Sequence, residues 1–309
     1  TLDRSSAASD VYKRQPNTPR PRYAYGVVLS LLSAGLLWWL TGAYAATGAR
    51  QNPEVLPEAG PLIQHIREQG HITVGVRAYR RPSPDPEARP EPDEYDLALA
   101  RALAHRLQVE LRTVPQAPDS DGLIALDADP VDLLLGLAGD DGTGSMVVRS
   151  AASSALPRGD VVVLARPAQQ SLSPKLALAG RTVCAAQGSP YALPATQAYD
   201  VQIKWLPSTI AALSAFSAFE CDGLLADADL LDRLQSAPDW AYYRRLPTAL
   251  RPAFADQATL HSGDARDAQA VQTLLAEWSA SDDGQAHRQQ RLSLQAFEAT
   301  QLQPGSYCH

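Results

Sequence analysis

At 309 residues and 33.2 kDa the chain exceeds one ordinary core and suits two domains or one two-lobed unit. Apolar residues make up 45% and charged residues 20%, enough to bury a sizeable core. A net charge of −7 and a pI near 5.4 exclude a non-specific nucleic-acid binder, which needs a basic surface, and 6% aromatics argue against a platform that stacks bases or sugars.

Residues 1–15 share no pattern with the rest of the chain and read as non-native read-through. In residues 16–45, Arg20 and Arg22 precede an uncharged run from Gly26 to Leu40, and Ala43 and Ala45 supply small residues for a cut. That order is a secretory signal peptide. The run also stretches from Ala24 to Gly48, long enough for an uncleaved membrane anchor. Residues 46–60, rich in Pro, Gly and Ala, read as a linker.

Leu62–Glu68 is a short helix stopped by Gly70, and the β-branched run His71–Val76 is a strand. The proline-rich run from Pro82 to Pro92 is neither helix nor central strand and forms an exposed loop. Tyr95–Leu107 is a helix with Leu99, Leu103 and Leu107 on one face, followed by a strand at Val109–Val114. Gly122–Leu126 is a short helix, and Val131–Leu137 is a buried strand meeting the glycine-rich turn Ala138–Ser145. Val161–Ala165 is another strand. A second block repeats the alternation, with strands at Thr182–Ala186 and Asp222–Ala226 and a helix from Ser208 to about Phe219. Amphipathic helices at Asp264–Glu277 and Gln285–Phe297 complete the pattern. Strands alternating with helices imply parallel βαβ units, and two such blocks imply a ligand cleft at the carboxyl ends of the strands.

The six histidines are scattered, and neither CxxC nor HExxH occurs, so no metal and no cofactor is expected. In an oxidising compartment Cys184 and Cys221 can pair, leaving Cys308 near the end; two buried free thiols are the alternative.

The stretch PLIQHIREQGHITVGVRAYRRP…DEYDLALARALAHRLQVELRTVP resembles the opening of the periplasmic solute-binding proteins of the polar amino-acid uptake family, solute-binding family 3. Ile72–Val76 and Tyr95–Ala98 carry that likeness. DGLIALDADPVDLLLGL, LAGRTVCAAQGSPYALPA and CDGLLADADLL resemble later motifs of the same family, in the same order. The resemblance spans about residues 61–297 and implies an α/β, two-lobed periplasmic-binding-protein-like fold with a ligand cleft between the lobes. It implies lobe 1 at residues 61–165, lobe 2 at 166–252, and a return to lobe 1 with a C-terminal tail at 253–309. Crossovers are expected near Ala165–Pro167 and Leu250–Pro252. Some members of the family carry cysteines at both the Cys184 and Cys221 positions.

The family's site residues carry over to particular positions. Asp227 takes the ligand's α-ammonium, or else caps the helix that follows it. Gly188 and Ser189 offer backbone N–H groups to a carboxylate, or form a plain turn. Arg77 meets a side-chain carboxylate, or is one more surface arginine. Tyr79 and Tyr95 wall the ligand, or pack the lobe. Gly139 lies in the glycine-rich stretch after the fourth strand, where the family has G-G-M-T-x-T-x-E-R. That arginine is missing here, Asp140 and Asp141 stand in its place, and Arg149 or Arg158 is the candidate substitute.

The function so implied is an extracytoplasmic, periplasmic solute-binding protein of an ABC importer. It is a monomer with no catalytic residues, binding a small polar solute and docking on a membrane permease. Two other classes remain open. One is a degenerate lobe pair acting as a sensing or partner protein. The other is a dehydratase, which needs a glutamate acid in the cleft, where Glu94 and Glu220 are poorly placed.

Overall fold

The computed structural model describes residues 58–118 apart from 84 and 86, then 131–137, 145–153, 156–164 and 172–302, all within one compact unit. The expected read-through, signal or anchor segment, most of the linker, the helix at 122–126, Gly139 with the glycine-rich turn, and Cys308 lie outside the described residues.

Helix α1 (Pro61–Gln69) opens on a proline, whose missing N–H is no loss in a first turn, and ends where Gly70 turns left-handed at φ 74°. Strand β1 (His71–Tyr79) follows, and β2 (Glu91–Pro92) pairs against its end as a two-residue edge, a place where a proline is tolerated. The side chain of Asp93 accepts from the N–H groups of Tyr95 and Asp96, starting α2 (Glu94–Leu107). Beyond it come β3 (Glu110–Gln116), β4 (Leu133–Leu135) and β5 (Met146–Arg149). The second block holds β6 (Gly159–Leu164), α3 (Pro174–Leu178), β7 (Thr182–Ala186), α4 (Ala192–Tyr199) and β8 (Gln202–Leu206). It continues with α5 (Thr209–Ser217), capped by the Ser208 hydroxyl, then β9 (Gly223–Asp227), α6 (Ala228–Gln235) and β10 (Tyr243–Leu250). Strand β11 (Gln257–Leu260) and helices α7 (Ala265–Ala280) and α8 (Asp282–Gln301) close the described chain.

Two mixed sheets result. The first runs β2-β1-β4-β11-β5 with β3 also on β1; the second runs β10-β6-β9-β7-β8. The β1–β3, β1–β4, β7–β8 and β7–β9 pairs are parallel, as expected from the alternation of elements. The returning strand β11 pairs antiparallel with β4 and β5, and β6 pairs antiparallel with β9 and β10, so the sheets are not all-parallel.

That pairing corrects the first lobe boundary. Val161–Val163 belong to the second sheet, not the first, so the chain leaves the first sheet after β5 and before β6; Ala165–Pro167 lie outside the described residues. The second crossing is at 251–256, next to the expected place. The two crossings are stitched together: Ser150 N–H donates to the Asp256 carbonyl at 2.9 Å, and Asp256 N–H donates to Ser150 Oγ at 3.0 Å.

Ile63, Ile66, Leu99, Leu103, Leu135, Leu274 and Trp278 pack with β1 into the first core. Both faces of the second sheet are covered, one by Leu213, Phe216, Leu230 and Leu231, the other by Leu178, Tyr191 and Ala195. The disulfide Cys184–Cys221, with Cα atoms 5.7 Å apart, ties β7 to the connection entering β9.

Helix α8 belongs to both lobes. Leu292, Ala296 and Ala299, at i, i+4 and i+7, pack on the second core. Its other face ties to the first lobe through Arg291–Asp93 at 3.0 Å and Glu298–Arg81 at 2.7 Å.

Candidate functional site

A cavity of about 130 Å³ lies between the sheets. It sits at the carboxyl ends of the strands: Arg77 near the end of β1, Gly136 after β4, Gly188–Tyr191 after β7, and Asp227 at the end of β9. The crossings add Pro157 and Asp256, and α8 adds Arg288 and Arg291.

Asp227 occupies the N-cap position of α6 with extended backbone, yet its side chain makes no capping hydrogen bond. It points to the cavity instead. Oδ2 accepts from the Tyr191 hydroxyl at 3.1 Å, a proton shared with the Pro157 carbonyl at 3.0 Å. Oδ1 is buried and has no partner. Burial pushes the Asp227 carboxyl up to about 6; the Tyr191 hydrogen bond, Arg288 and the nearby Asp229 N–H pull it down, while the Asp229 charge pushes it further up. Tyr191 reaches this carboxylate because Gly159 has no side chain: a Cβ there would overlap the Tyr191 ring.

Tyr95, at the start of α2, is the centre of a satisfied network. Its hydroxyl donates to Asp256 Oδ1 at 2.8 Å and accepts from Trp278 Nε1 at 3.0 Å and Arg288 Nη2 at 2.8 Å. The guanidinium groups of Arg288 and Arg291 lie 5.2 and 5.6 Å from its ring centre. Arg288 Nη2 also reaches Asp256 Oδ2 at 3.3 Å. The Nε atoms of both arginines are buried and without partners.

The expected site residues are distributed unevenly. Asp227, Tyr95, Gly188, Ser189 and Arg77 all line the cavity; Tyr79 does not. Tyr79 is buried beside Arg81, whose guanidinium lies 5.8 Å from its ring, so it packs the lobe. Arg77 does meet a carboxylate, but it is the chain's own. Nε and Nη2 bind Asp96 at 2.7 and 2.6 Å, both groups being buried. Burial alone would lower the Arg77 pKa, and the charge and hydrogen bonds of Asp96 outweigh it and raise it. A side-chain carboxylate from a solute therefore finds this fork already engaged.

The Ser189 N–H is also spent, donating to the Ala186 carbonyl at 3.0 Å, and α4 begins only at Ala192. The Gly188–Ser189 turn is thus not an open nest of free N–H groups. Gly188 has a different role: with φ 75°, it lies against the Gly136 carbonyl, which a Cβ would overlap. This contact joins the lobes and divides the cleft. Beyond it lies a second, more open cavity of about 710 Å³, lined by Arg149, Leu193, Trp205 and Phe254. Arg149 faces that side, donating to Gln257 Oε1 at 3.2 Å, and Arg158 is exposed. Neither substitutes for the missing arginine in the inner cavity.

Arg288, Arg291, Tyr191 and Asp256 were not foreseen from the sequence. The legible signal was a polar stripe on α8, Arg288, Arg291, Gln295 and Glu298, spaced three or four apart; Gln295 and Glu298 are only 6% and 4% exposed. Among the described residues no His/Cys/Asp/Glu group could hold a metal ion.

The fold is similar to that of a solved structure. An amino acid ABC transporter substrate-binding protein from Streptococcus pneumoniae bound to L-arginine superposes with a TM-score of 0.50 at 15% identity, over 76% of this chain and 98% of that one. The fold is the two-lobed, α/β substrate-binding-protein fold. Tv2483 bound to L-arginine gives a TM-score of 0.49 at 16% identity, covering 76% and 96% of the two chains. An ancestral amino-acid-binding protein, described as a precursor of cyclohexadienyl dehydratase, gives 0.47 at 17% identity, covering 74% and 99%. No family model and no curated protein matches the sequence.

Proposed function

We propose that this chain is an extracytoplasmic solute-binding protein, holding a small amine-bearing polar solute between its lobes and presenting it to the permease of an ABC importer. The observation that carries this is Asp227. A carboxylate on a rigid strand end forgoes the helix cap it could make and keeps a buried oxygen unpartnered at the cavity. A cationic nitrogen there gains a charge-assisted hydrogen bond in a site with little competing water. The substrate-binding-protein fold is consistent with this reading. The Cys184–Cys221 bridge supports an oxidising compartment, and among the described residues no helix is long and apolar enough to cross a membrane. Delivery by a secretory signal in residues 16–45, and a monomeric state, belong to the same proposal.

Neither of the two glutamates weighed for the dehydratase reading lines the cavity. The side chains of Glu94 and Glu220 are 57% and 51% exposed and lie beside Arg81 and Lys204, away from the cavity. The sensing reading draws on the Gly136–Gly188 contact, which narrows the cleft.

The test is a thermal-shift screen of the purified protein against amino acids, polyamines and organic acids. A solute at 100 times its Kd adds about 2.7 kcal/mol of stability. Calorimetry with the best hit should then show Asp227→Ala binding more weakly by about 2–5 kcal/mol. No shift across the screen favours the sensing reading, and unchanged affinity in Asp227→Ala removes the role given to Asp227.

A further inference from the structure

Two backbone crossings join the lobes, and α8 makes a third connection. Its root is fixed to the first lobe. Only Ser281 separates it from α7, and that hydroxyl donates to the Trp278 carbonyl at 2.8 Å and accepts from the Gly284 N–H at 3.0 Å. A Cβ on Gly284 would overlap the Trp278 carbonyl, so the elbow is tight. The His287 ring stacks on Trp278, with centroids 5.8 Å apart. Further along, Leu292, Ala296 and Ala299, with Leu302 just beyond the helix, are seated in the second core. Arg233 of α6 adds hydrogen bonds to Ser293 Oγ at 2.6 Å and Gln289 Oε1 at 3.1 Å.

The two sides of this helix are held by different forces. The first core contains no residue of α8 among the described residues. Beyond the His287 ring, the helix meets the first lobe through charged and polar groups. Arg291 pairs with Asp93 at 3.0 Å, Glu298 with Arg81 at 2.7 Å, and Arg288 with the Tyr95 hydroxyl at 2.8 Å. The Asp93 and Glu298 side chains are only 2% and 5% exposed. Parting α8 from the second core would bring its leucines into water, which offers nothing in return. Parting it from the first lobe would bring buried charges into water, which solvates them. The polar side is therefore the one that can let go, with the Ser281 elbow as the pivot.

We propose that α8 is a latch: rooted on the first lobe and seated in the core of the second, it holds the lobes closed without a solute, and release of Arg291–Asp93 and Glu298–Arg81 lets them part. The inner cavity, walled on one side by Arg288 and Arg291, is then reached only when the latch is open. The latch is independent of which solute is bound, or of whether one is.

Pulsed electron paramagnetic resonance on the full chain without solute tests it. Spin labels go on His105→Cys in α2 and Lys175→Cys in α3, both exposed positions on opposite lobes, with Cys308→Ser removing the remaining unpaired thiol. The labelled protein should show one narrow distance. Adding Asp93→Asn and Glu298→Gln removes the charge of both pairs while asparagine keeps the cap of α2. That variant should show a second, longer distance, with the open-to-closed ratio raised at least about 10-fold. Thermal unfolding checks that it folds. Should it not fold, Glu298→Gln alone is read in the same way, since Arg81 keeps Glu91 at 2.8 Å. Two distances already present without the latch substitutions would overturn the proposal, and so would a folded variant with an unchanged single distance. Neither result bears on the solute-binding reading, because no solute enters the measurement.

Discussion

Asp227→Asn should make the protein more stable while weakening its hold on an amine. The native carboxyl is raised from 3.8 to about 6 by burial, against the Tyr191 hydrogen bond and Arg288. A carboxyl raised in the folded state binds its proton more tightly there than in the unfolded chain. Its contribution to stability is therefore full below about pH 4 and is lost as pH rises through about 6. By linkage the ionised form destabilises the fold by about 3 kcal/mol near pH 7.5 and by about 1 kcal/mol near pH 4.5. Asparagine keeps an oxygen for the Tyr191 hydroxyl and carries no charge, but its NH2 donors need partners. The net gain should thus be about 1–3 kcal/mol near pH 7.5. Urea unfolding of both proteins at the two pH values reads the difference directly. Taking the difference between the two proteins cancels the carboxyls that do not interact with Asp227. A variant less stable than the parent near pH 7.5, or a gap that does not shrink toward pH 4.5, would refute the reasoning.

Replacing Cys184 and Cys221 together by alanine opens a loop with a sequence separation of 37 and should cost about 4 kcal/mol in the chain-entropy account. Urea midpoints with and without reductant check it, and a parent protein insensitive to reductant, with the bridge shown to be open, would contradict it. Arg77→Ala leaves Asp96 buried without its partner and should destabilise by about 3–5 kcal/mol, readable by thermal unfolding. A loss of solute affinity with no loss of stability would return Arg77 to the binding site. Gly188→Ala places a Cβ on the Gly136 carbonyl at a left-handed backbone position, so it should hold the lobes apart. Small-angle scattering should then show a larger radius of gyration, and an unchanged radius would count against the contact.

The two α/β blocks were legible because their signals are local. Asp93, Ser208, Gly70 and the leucine spacing of α2 each fix a helix end or face within a few residues. The strand β6 was placed in the wrong lobe because its partners, β9 and β10, lie more than 50 residues away, and a run of valines carries no record of which sheet it joins. Asp227 could be read at the end of a strand. That it would leave the helix uncapped could not, since the choice depends on Tyr191 and on the space above Gly159. The pairing of Arg77 with Asp96 was not legible because Asp96 sits in a motif that drew attention only as a family likeness. The arginines of α8 were missed because a buried polar stripe and a solvated polar face have the same period, and only packing against both lobes tells them apart.

The central claim is most directly tested by a crystal structure of the protein grown with the tightest-binding solute from the screen. The account predicts that solute in the inner cavity, with its amine nitrogen within hydrogen-bond distance of Asp227 Oδ1. A solute seated in the outer cavity beside Trp205, or one in the inner cavity with its amine turned away from Asp227, would contradict it.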